Sequence, residues 1–337
     1  MRSYHIDHIG DLDGLTVRNS DVPAPGPDEV RIDITANSLN ARDIAILLGS
    51  YGGPSPKPGL IPLSDGVGTI VAAGERVRGF SVGDRVAGIF RQNWLGGRMP
   101  LRALDSDLGG SRDGMLTESI VLTDENIVKV PAHLSDQEAA TLPCAAVTAW
   151  HALHAGEALL PGQSVLVLGS GGVSLFALQF AKHIGAHVIA TTSTEEKAHA
   201  LQALGADDVI NYSATPEWDE EVMRITAGLG VDRVIEVGGA GTLARSMRAA
   251  AVTGRIVIIG VLAGGSQVDP SIILTRRLTL QAISTGSREM FEQMNAAITR
   301  WQLKPVIDTA FPFDEAKAAY RYAANGRHFG KVVISRP

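Results

Sequence analysis

The chain has 337 residues, with 30 Lys and Arg against 36 Asp and Glu and a formal net charge of -6. That length exceeds one ordinary core and suits two domains, and the acidic balance argues against nucleic acid or an anionic membrane surface as the main partner. The single cysteine, Cys144, excludes an internal disulfide and a cysteine-rich zinc site. No apolar run approaches the roughly 20 residues that cross a bilayer, and the first residues lack a signal-peptide core. A cytoplasmic protein with no membrane segment is expected.

In chain order, the first part reads as mostly β. Short apolar runs such as Glu29-Val-Arg-Ile-Asp-Ile-Thr35, Gly68-Thr-Ile-Val-Ala72 and Arg85-Val-Ala-Gly-Ile-Phe90 alternate with Gly, Pro and Asp turns. Residues 94–114 are polar, glycine-rich and without period, and read as a long surface loop. At Ser135 a helix begins, with Glu138 three residues on to complete a capping box. It leads through Pro143 into Val147-Thr-Ala-Trp-His-Ala-Leu153.

After Pro161-Gly162 the pattern changes to strands alternating with helices, with strands expected at 164–169, 187–192, 208–211, 231–237, 255–261 and 278–284. Six such strands fill a doubly wound parallel sheet. The first ends in Gly169-Ser-Gly-Gly-Val-Ser174, and an amphipathic helix follows, its apolar face carrying Val173, Phe176, Ala177, Phe180, Ala181 and Ile184. A glycine turn between a buried strand and a helix lets backbone approach a pyrophosphate, and the helix N-terminus supplies N–H groups and partial positive charge. Gly169, Gly171, Gly172 and Val173 are therefore candidate cofactor contacts. The third fingerprint position is Ser174 where Gly or Ala is usual, and Ser is still small. The tail has a short helix (314–325) and a last strand, Lys331-Val-Val-Ile334, with no further strand expected beside it, so it is expected to return to the first domain.

These stretches resemble the medium-chain dehydrogenase/reductase superfamily over essentially the whole chain. The resemblance is carried by Asn37-Ser-Leu-Asn-Ala-Arg-Asp43, Asp65-Gly-Val-Gly-Thr-Ile-Val-Ala-Ala-Gly74, Phe80-Ser-Val-Gly-Asp-Arg-Val86, Gly114-Met-Leu-Thr-Glu118, Pro143-Cys-Ala-Ala-Val-Thr-Ala-Trp150 and Ala203-Leu-Gly-Ala-Asp-Asp-Val-Ile-Asn-Tyr212. It implies an α/β protein with two domains. One is a GroES-like, mostly β substrate-binding domain (1–125 and 300–337), and the other a Rossmann dinucleotide-binding domain (126–299). It also implies an active site in the crevice between them and assembly as a dimer or tetramer through the Rossmann domain, of which a homodimer is expected. Zinc-dependent members place metal ligands where this chain has Asn40, Ser64-Asp65 and Cys144. Cys144 with Asp65 is too few for the three protein ligands of a catalytic zinc, so the sequence resembles the zinc-independent, quinone oxidoreductase-like branch. No metal is expected, and Cys144 reads as a small buried apolar residue.

The second strand of the sheet ends in Thr191-Thr-Ser-Thr194, without the carboxylate that NAD-preferring sites offer the ribose 2′-hydroxyl. Ser193, Lys197 and Tyr212 fall where NADPH-linked relatives contact the 2′-phosphate, so NADP(H) is expected over NAD(H), with Glu195 and Glu196 adding opposing charge. By the same resemblance Thr148 packs on the nicotinamide, and Val237, Val261 and Ile283 line the carboxamide pocket. Without zinc, polarising a substrate oxygen falls to hydrogen-bond donors. Tyr51, Asn40 and Arg42 lie in segments that line the family's cleft, with Tyr51 a candidate proton donor and Asn40 a candidate ligand of the carbonyl. Each also has a plain structural reading: a cap for Asn40, an ion pair for Arg42, packing for Tyr51. The expected function is hydride transfer to quinones or α,β-unsaturated carbonyl compounds. The alternatives are a zinc-free alcohol dehydrogenase or aldehyde reductase, and a non-enzymatic cofactor-binding protein.

Overall fold

Two short runs near the N-terminus, Arg2–Ile6 (β1) and Leu15–Asn19 (β2), pair as an antiparallel hairpin. They precede an eleven-residue strand, Glu29–Leu39 (β3), whose alternation of Val30, Ile32 and Ile34 with less buried residues places one face in a core. The structure is a computed structural model, and it describes residues 1–52, 56–260 and 269–336. It divides into two units, Met1–Val147 with Thr285–Pro337, and Thr148–Ser284.

In the first unit β3 is followed by helix α1 (Ala41–Leu47) and strands β4 (Asp65–Ala73), β5 (Arg85–Gly88), β6 (Ser119–Thr123) and β7 (Ile127–Lys129). β3 pairs antiparallel with both β4 and β6. The glycines of the Asp65-Gly-Val-Gly motif are set by these crossings: a Cβ on Gly68 would stand 2.1 Å from the carbonyl oxygen of Asp33. The Ser135 capping box forms as expected, with Ser135 N–H donating to Glu138 Oε2 at 2.7 Å and Glu138 N–H to Ser135 Oγ at 3.2 Å. It starts α2 (Asp136–Ala140), and a wider turn around Pro143 leads to α3 (Val147–His154).

Residues 94–114 form the irregular loop expected, with Leu101 and Leu104 exposed, but the loop is anchored by a few buried residues. The segment carries only one short helical turn, Leu101–Ala103, yet Trp94, Ala103, Ser106 and Leu108 are buried. Side chains add to scattered backbone bonds such as Gln92 N–H to Ser106 O at 3.1 Å: Ser106 Oγ donates to Gln92 O at 2.5 Å and Trp94 Nε1 to Gly97 O at 3.1 Å. Absence of period meant irregular backbone here, part of it exposed and part of it anchored.

The second unit continues with β8 (Ser164–Leu168), α4 (Gly172–Ile184), β9 (His187–Thr192), α5 (Glu195–Ala203), β10 (Asp208–Asn211), α6 (Trp218–Ile225), β11 (Val231–Glu236), α7 (Leu243–Ala249), β12 (Ala250–Ile258), α8 (Ser271–Arg276) and β13 (Thr279–Ala282). All six strands are parallel, in the order β10-β9-β8-β11-β12-β13. The chain winds outward from β8, returns to its other side at β11 and winds outward again, so the winding reverses between β8 and β11. Because helices cover such a sheet, its strands are continuous apolar runs, and Leu166, Ile189, Val234 and Ile256 share a core with Trp218, Val222 and Met247. Phe176 and Phe180 of α4 are buried, each contributing about 1.5–3 kcal/mol.

The last segments belong to the first unit: α9 (Arg288–Trp301), β14 (Ile307–Pro312), α10 (Ala316–Ala324) and β15 (Lys331–Ser335). β15 pairs with β3, as a tail returning to the first domain requires, but it also has the parallel neighbour β14 that the sequence reading did not find. Ile307, Thr309 and Phe311 are half-buried while Asp308, Ala310 and Pro312 are exposed, an alternation in which Thr and Pro disguise the strand.

Candidate active site

The glycine turn follows β8 directly. Gly169 has φ +74, a left-handed conformation that a side chain would strain, and Gly171 is the N-cap of α4 with ordinary extended φ -79. A Cβ built on either would meet nothing within 4 Å, so the backbone borders open space at the start of a 13-residue helix. The first N–H groups of a helix lack intrahelical partners and carry partial positive charge, which is the donor set an anionic pyrophosphate needs. The departure at Ser174 proves to be part of the turn: Ser174 is buried and its Oγ donates to Leu168 O at 2.7 Å, tying the first turn of α4 to the end of β8.

Parallel strands bring the other predicted cofactor residues to the same edge. Gly169, Ser193, Tyr212, Val237 and Ile283 each stand one residue beyond the C-terminal end of β8, β9, β10, β11 and β13, the edge at which such sheets bind ligands. Cross-links hold these ends together. Gly169 N–H donates to Thr191 Oγ1 at 3.2 Å, Tyr212 N–H to Thr192 O at 2.8 Å and Ile283 N–H to Ile258 O at 3.0 Å. Lys197 lies in the first turn of α5, where its N–H donates to the capping Thr194 Oγ1 at 3.3 Å. Glu195 accepts from Asn211 Nδ2 at 2.6 Å. Thr192 is buried, and its hydroxyl has no hydrogen-bond partner among the described residues. Gly172 opens α4, Val173 follows it half-buried, and Thr148 is buried in α3. Val261 lies outside the described residues.

Glu236, at the end of β11, was not singled out from the sequence. It is fully buried, and one carboxylate oxygen accepts from Gly238 N–H, Gly239 N–H and Thr242 Oγ1 at 2.6–2.9 Å while the other accepts from Ser246 Oγ. It shapes the Val237-Gly238 turn from beneath.

In the first unit the motif around α1 assembles a buried charge network. Asn40 caps α1, and its N–H donates to Asp43 at 2.8 Å. Arg42 is buried, donates from Nη1 to Leu108 O at 3.0 Å and from Nη2 to Asp107, and lies 3.7 Å from Asp43. Burial works against its charge, but Asp43 and Asp107 more than offset this and hold the guanidinium above its ordinary pKa. Its guanidinium carbon sits 5.4 Å from the Tyr51 ring centroid and 4.6 Å from that of Phe90. Tyr51 itself is 45% exposed, so this unit presents a phenol to solvent beside a retained cation. Burial raises the Asp43 carboxyl to about 6 even against the Arg42 charge.

Asp65 is fully buried and crowded with donors: Ser38 Oγ at 2.8 Å, Asn40 Nδ2 at 2.8 Å and Ser64 Oγ at 3.0 Å, with Lys331 Nζ 3.5 Å away. A zinc ion does not fit this donor set. Asp65 already faces an internal ammonium, and Cys144, half-buried where full burial was expected, has its thiol raised well above the ordinary range by desolvation and Asp65. Metal ligation needs the thiolate. Among the described residues no group of three His, Cys, Asp or Glu side chains is placed to hold a metal.

A parallel sheet wound in the order 3-2-1-4-5-6, with a glycine turn at its reversal point, is the doubly wound arrangement of dinucleotide-binding domains. Residues 26–132 match the family described as the alcohol dehydrogenase GroES-like domain, and residues 172–300 the family described as zinc-binding dehydrogenase. The second match excludes Asn40, Ser64, Asp65 and Cys144. A zinc-type alcohol dehydrogenase-like protein of Schizosaccharomyces pombe is 43% identical over 97% of each chain. A 2-methylene-furan-3-one reductase of Solanum lycopersicum is 33% identical over 99% of this chain and 79% of that protein. The crystal structure of an NAD-dependent alcohol dehydrogenase matches over 99% of each chain with a TM-score of 0.91 and 33% identity. The chain belongs to the medium-chain dehydrogenase/reductase superfamily and is an oxidoreductase.

Proposed function

We propose that this protein is a zinc-independent, NADP(H)-linked reductase of quinones or α,β-unsaturated carbonyl compounds. The observation that carries the reading is the internal ion pair at Asp65: Lys331 supplies the cation where zinc-dependent relatives hold a metal, so carbonyl polarisation is left to hydrogen-bond donors. On this reading the first unit is the GroES-like substrate-binding domain and the second the cofactor-binding Rossmann domain. The glycine turn, with Gly169, Gly171, Gly172 and Val173, holds the pyrophosphate, while Thr148, Val237, Val261 and Ile283 hold the nicotinamide. Bound there, the cofactor supplies hydride.

Support for the phosphorylated cofactor comes from the end of β9. No carboxylate ends that strand, the Thr192 hydroxyl is buried without a partner among the described residues, Glu195 is occupied by Asn211, and Lys197 is one turn into α5. Ser193, Lys197 and Tyr212 then receive the 2′-phosphate. On the substrate side Tyr51 donates a proton to the reduced product, with the Arg42 charge beside the ring that gives it up, and Asn40 presents an amide N–H to a carbonyl oxygen. The enone-reducing activity named for the tomato relative favours this substrate class, and the resemblance supports a cytoplasmic homodimer.

The names of the fission-yeast relative and the solved alcohol dehydrogenase favour a second reading, oxidation of alcohols and reduction of aldehydes. A steady-state screen separates the two. The first predicts consumption of NADPH, faster than NADH at equal subsaturating concentration, with quinones or enones. Turnover confined to alcohols and aldehydes would replace it with the second, and turnover of nothing would leave a cofactor-binding protein.

A further inference from the structure

We propose that Lys331 is a positioning residue for Asn40. It fixes the side-chain amide in a single orientation and leaves one Nδ2–H as the donor for the substrate oxygen. The inference rests on the zinc-free carbonyl reductase reading and adds to it a residue 291 positions away in sequence from the one it serves.

Asn40 bridges an ion pair. Lys331 Nζ, a group with donors only, lies 2.6 Å from Asn40 Oδ1, and Asp65 Oδ2, an acceptor, lies 2.8 Å from Asn40 Nδ2. Turning the amide over would set an N–H₂ group against the ammonium and an oxygen against the carboxylate, so both contacts reject the flipped form. The two charges are themselves held. Lys331 also donates to Leu39 O at 2.8 Å, and Asp65 accepts from Ser38 and Ser64. Lys331 is 3% exposed and Asp65 fully buried, so the pair acts at low dielectric and polarises the amide between them.

The amide has a second Nδ2–H, and among the described residues no hydrogen bond from it is found beyond the one to Asp65. Asn40 is partly exposed while its two partners are buried, and the remaining donor is the one assigned to the substrate oxygen. The ion pair thus does for the amide what second-layer partners do for a metal ligand: it sets orientation and strengthens the reacting bond. Three residues with unremarkable sequence positions (a helix cap and the first residues of two strands) become one unit.

The test is a double-mutant cycle on Asn40→Ala and Lys331→Met, read as kcat/KM for the enone or quinone identified in the screen, together with NADPH affinity and Tm. Removing one oriented donor costs on the order of 100-fold in rate, so both single variants should lose about that much while NADPH affinity stays within about twofold. The double variant should be no worse than Asn40→Ala alone. Lys331→Gln, which keeps a donor toward Oδ1 without the charge, should recover most of the loss, and it carries the test if the Met variant does not fold. Additive losses, a loss that follows NADPH affinity, or a folded Gln variant as inactive as Asn40→Ala would each overturn the inference. A parent protein active on carbonyls with an additive cycle refutes this step alone, whereas a parent inactive on every carbonyl refutes the reading beneath it.

Discussion

Gly171→Ala separates folding from cofactor binding at one atom. Gly171 has φ -79 and ψ 175, a conformation any residue adopts, and the added methyl would meet no protein atom within 4 Å. Stability should therefore hold or rise by about 0.4–1 kcal/mol, since Ala restricts the unfolded chain more than Gly. If the open space beside the turn receives the pyrophosphate, the same methyl intrudes on it. Overpacking a tight contact costs about 1–3 kcal/mol, which is roughly a 5- to 150-fold loss of NADPH affinity. Gly169→Ala is the control that should differ: its φ of +74 makes the substitution strained, lowering stability by about 1–2 kcal/mol as well. Thermal unfolding and fluorescence titration with NADPH measure both quantities. A Gly171→Ala protein that folds normally and binds NADPH as the parent does would refute the placement of the cofactor at this turn.

Lys197→Glu should narrow or reverse the preference for NADPH over NADH, since a direct charge contact contributes about 1.5–3 kcal/mol; equal parental affinity for the two cofactors would contradict the assignment. Tyr51→Phe should lower turnover of an enone by about 10²- to 10⁴-fold if the phenol is the general acid, leaving NADPH affinity unchanged. A quinone, whose reduced oxygens take protons from water, should respond less. Asp43, raised by burial to about 6 in the folded protein, holds its proton more tightly there than in the unfolded chain. Its contribution to stability therefore falls as pH rises from about 4 to 6 and is constant above. Relative to Asp43→Asn, the parent should lose about 3 kcal/mol between pH 4 and pH 7; parallel stability curves for the two proteins would refute the raised value.

The doubly wound sheet was legible because its central strands β8 and β9 are buried apolar runs, closed by Gly169 and by Thr191-Thr192. The first unit was less so. β14 hides its alternation behind Thr309 and Pro312, and the irregular loop 94–114 buries Trp94, Ala103, Ser106 and Leu108 without any period that would mark them. The edge proposed to hold the cofactor could be anticipated because a parallel sheet places the residues after its strands on one side. The charge network around Asn40 and Arg42 could not. Asn40 and Arg42 were visible as candidates, but their partners Asp65, Asp107 and Lys331 lie 25, 65 and 291 positions away, and only the pairing of β15 with β3 brings the last of them in. Lys331 read simply as the first residue of a strand. The same folding gives Asn40 both its partners at once, which spacing along the chain does not reveal.

The central claim is hydride transfer from NADPH to an activated carbonyl compound without zinc. The direct measurement supplies NADPH deuterated at C4 to protein of known metal content, in chelator, and locates the label in the product by mass spectrometry. The account predicts a zinc-free protein that stays active and delivers deuterium to the β-carbon of an enone, or consumes the label at full stoichiometry with a quinone. A hydroquinone loses its oxygen-bound label to water, so with a quinone the test is one labelled NADPH oxidised per quinone reduced. About one zinc per chain with activity lost to the chelator, or a reduced enone carrying no deuterium, would contradict it.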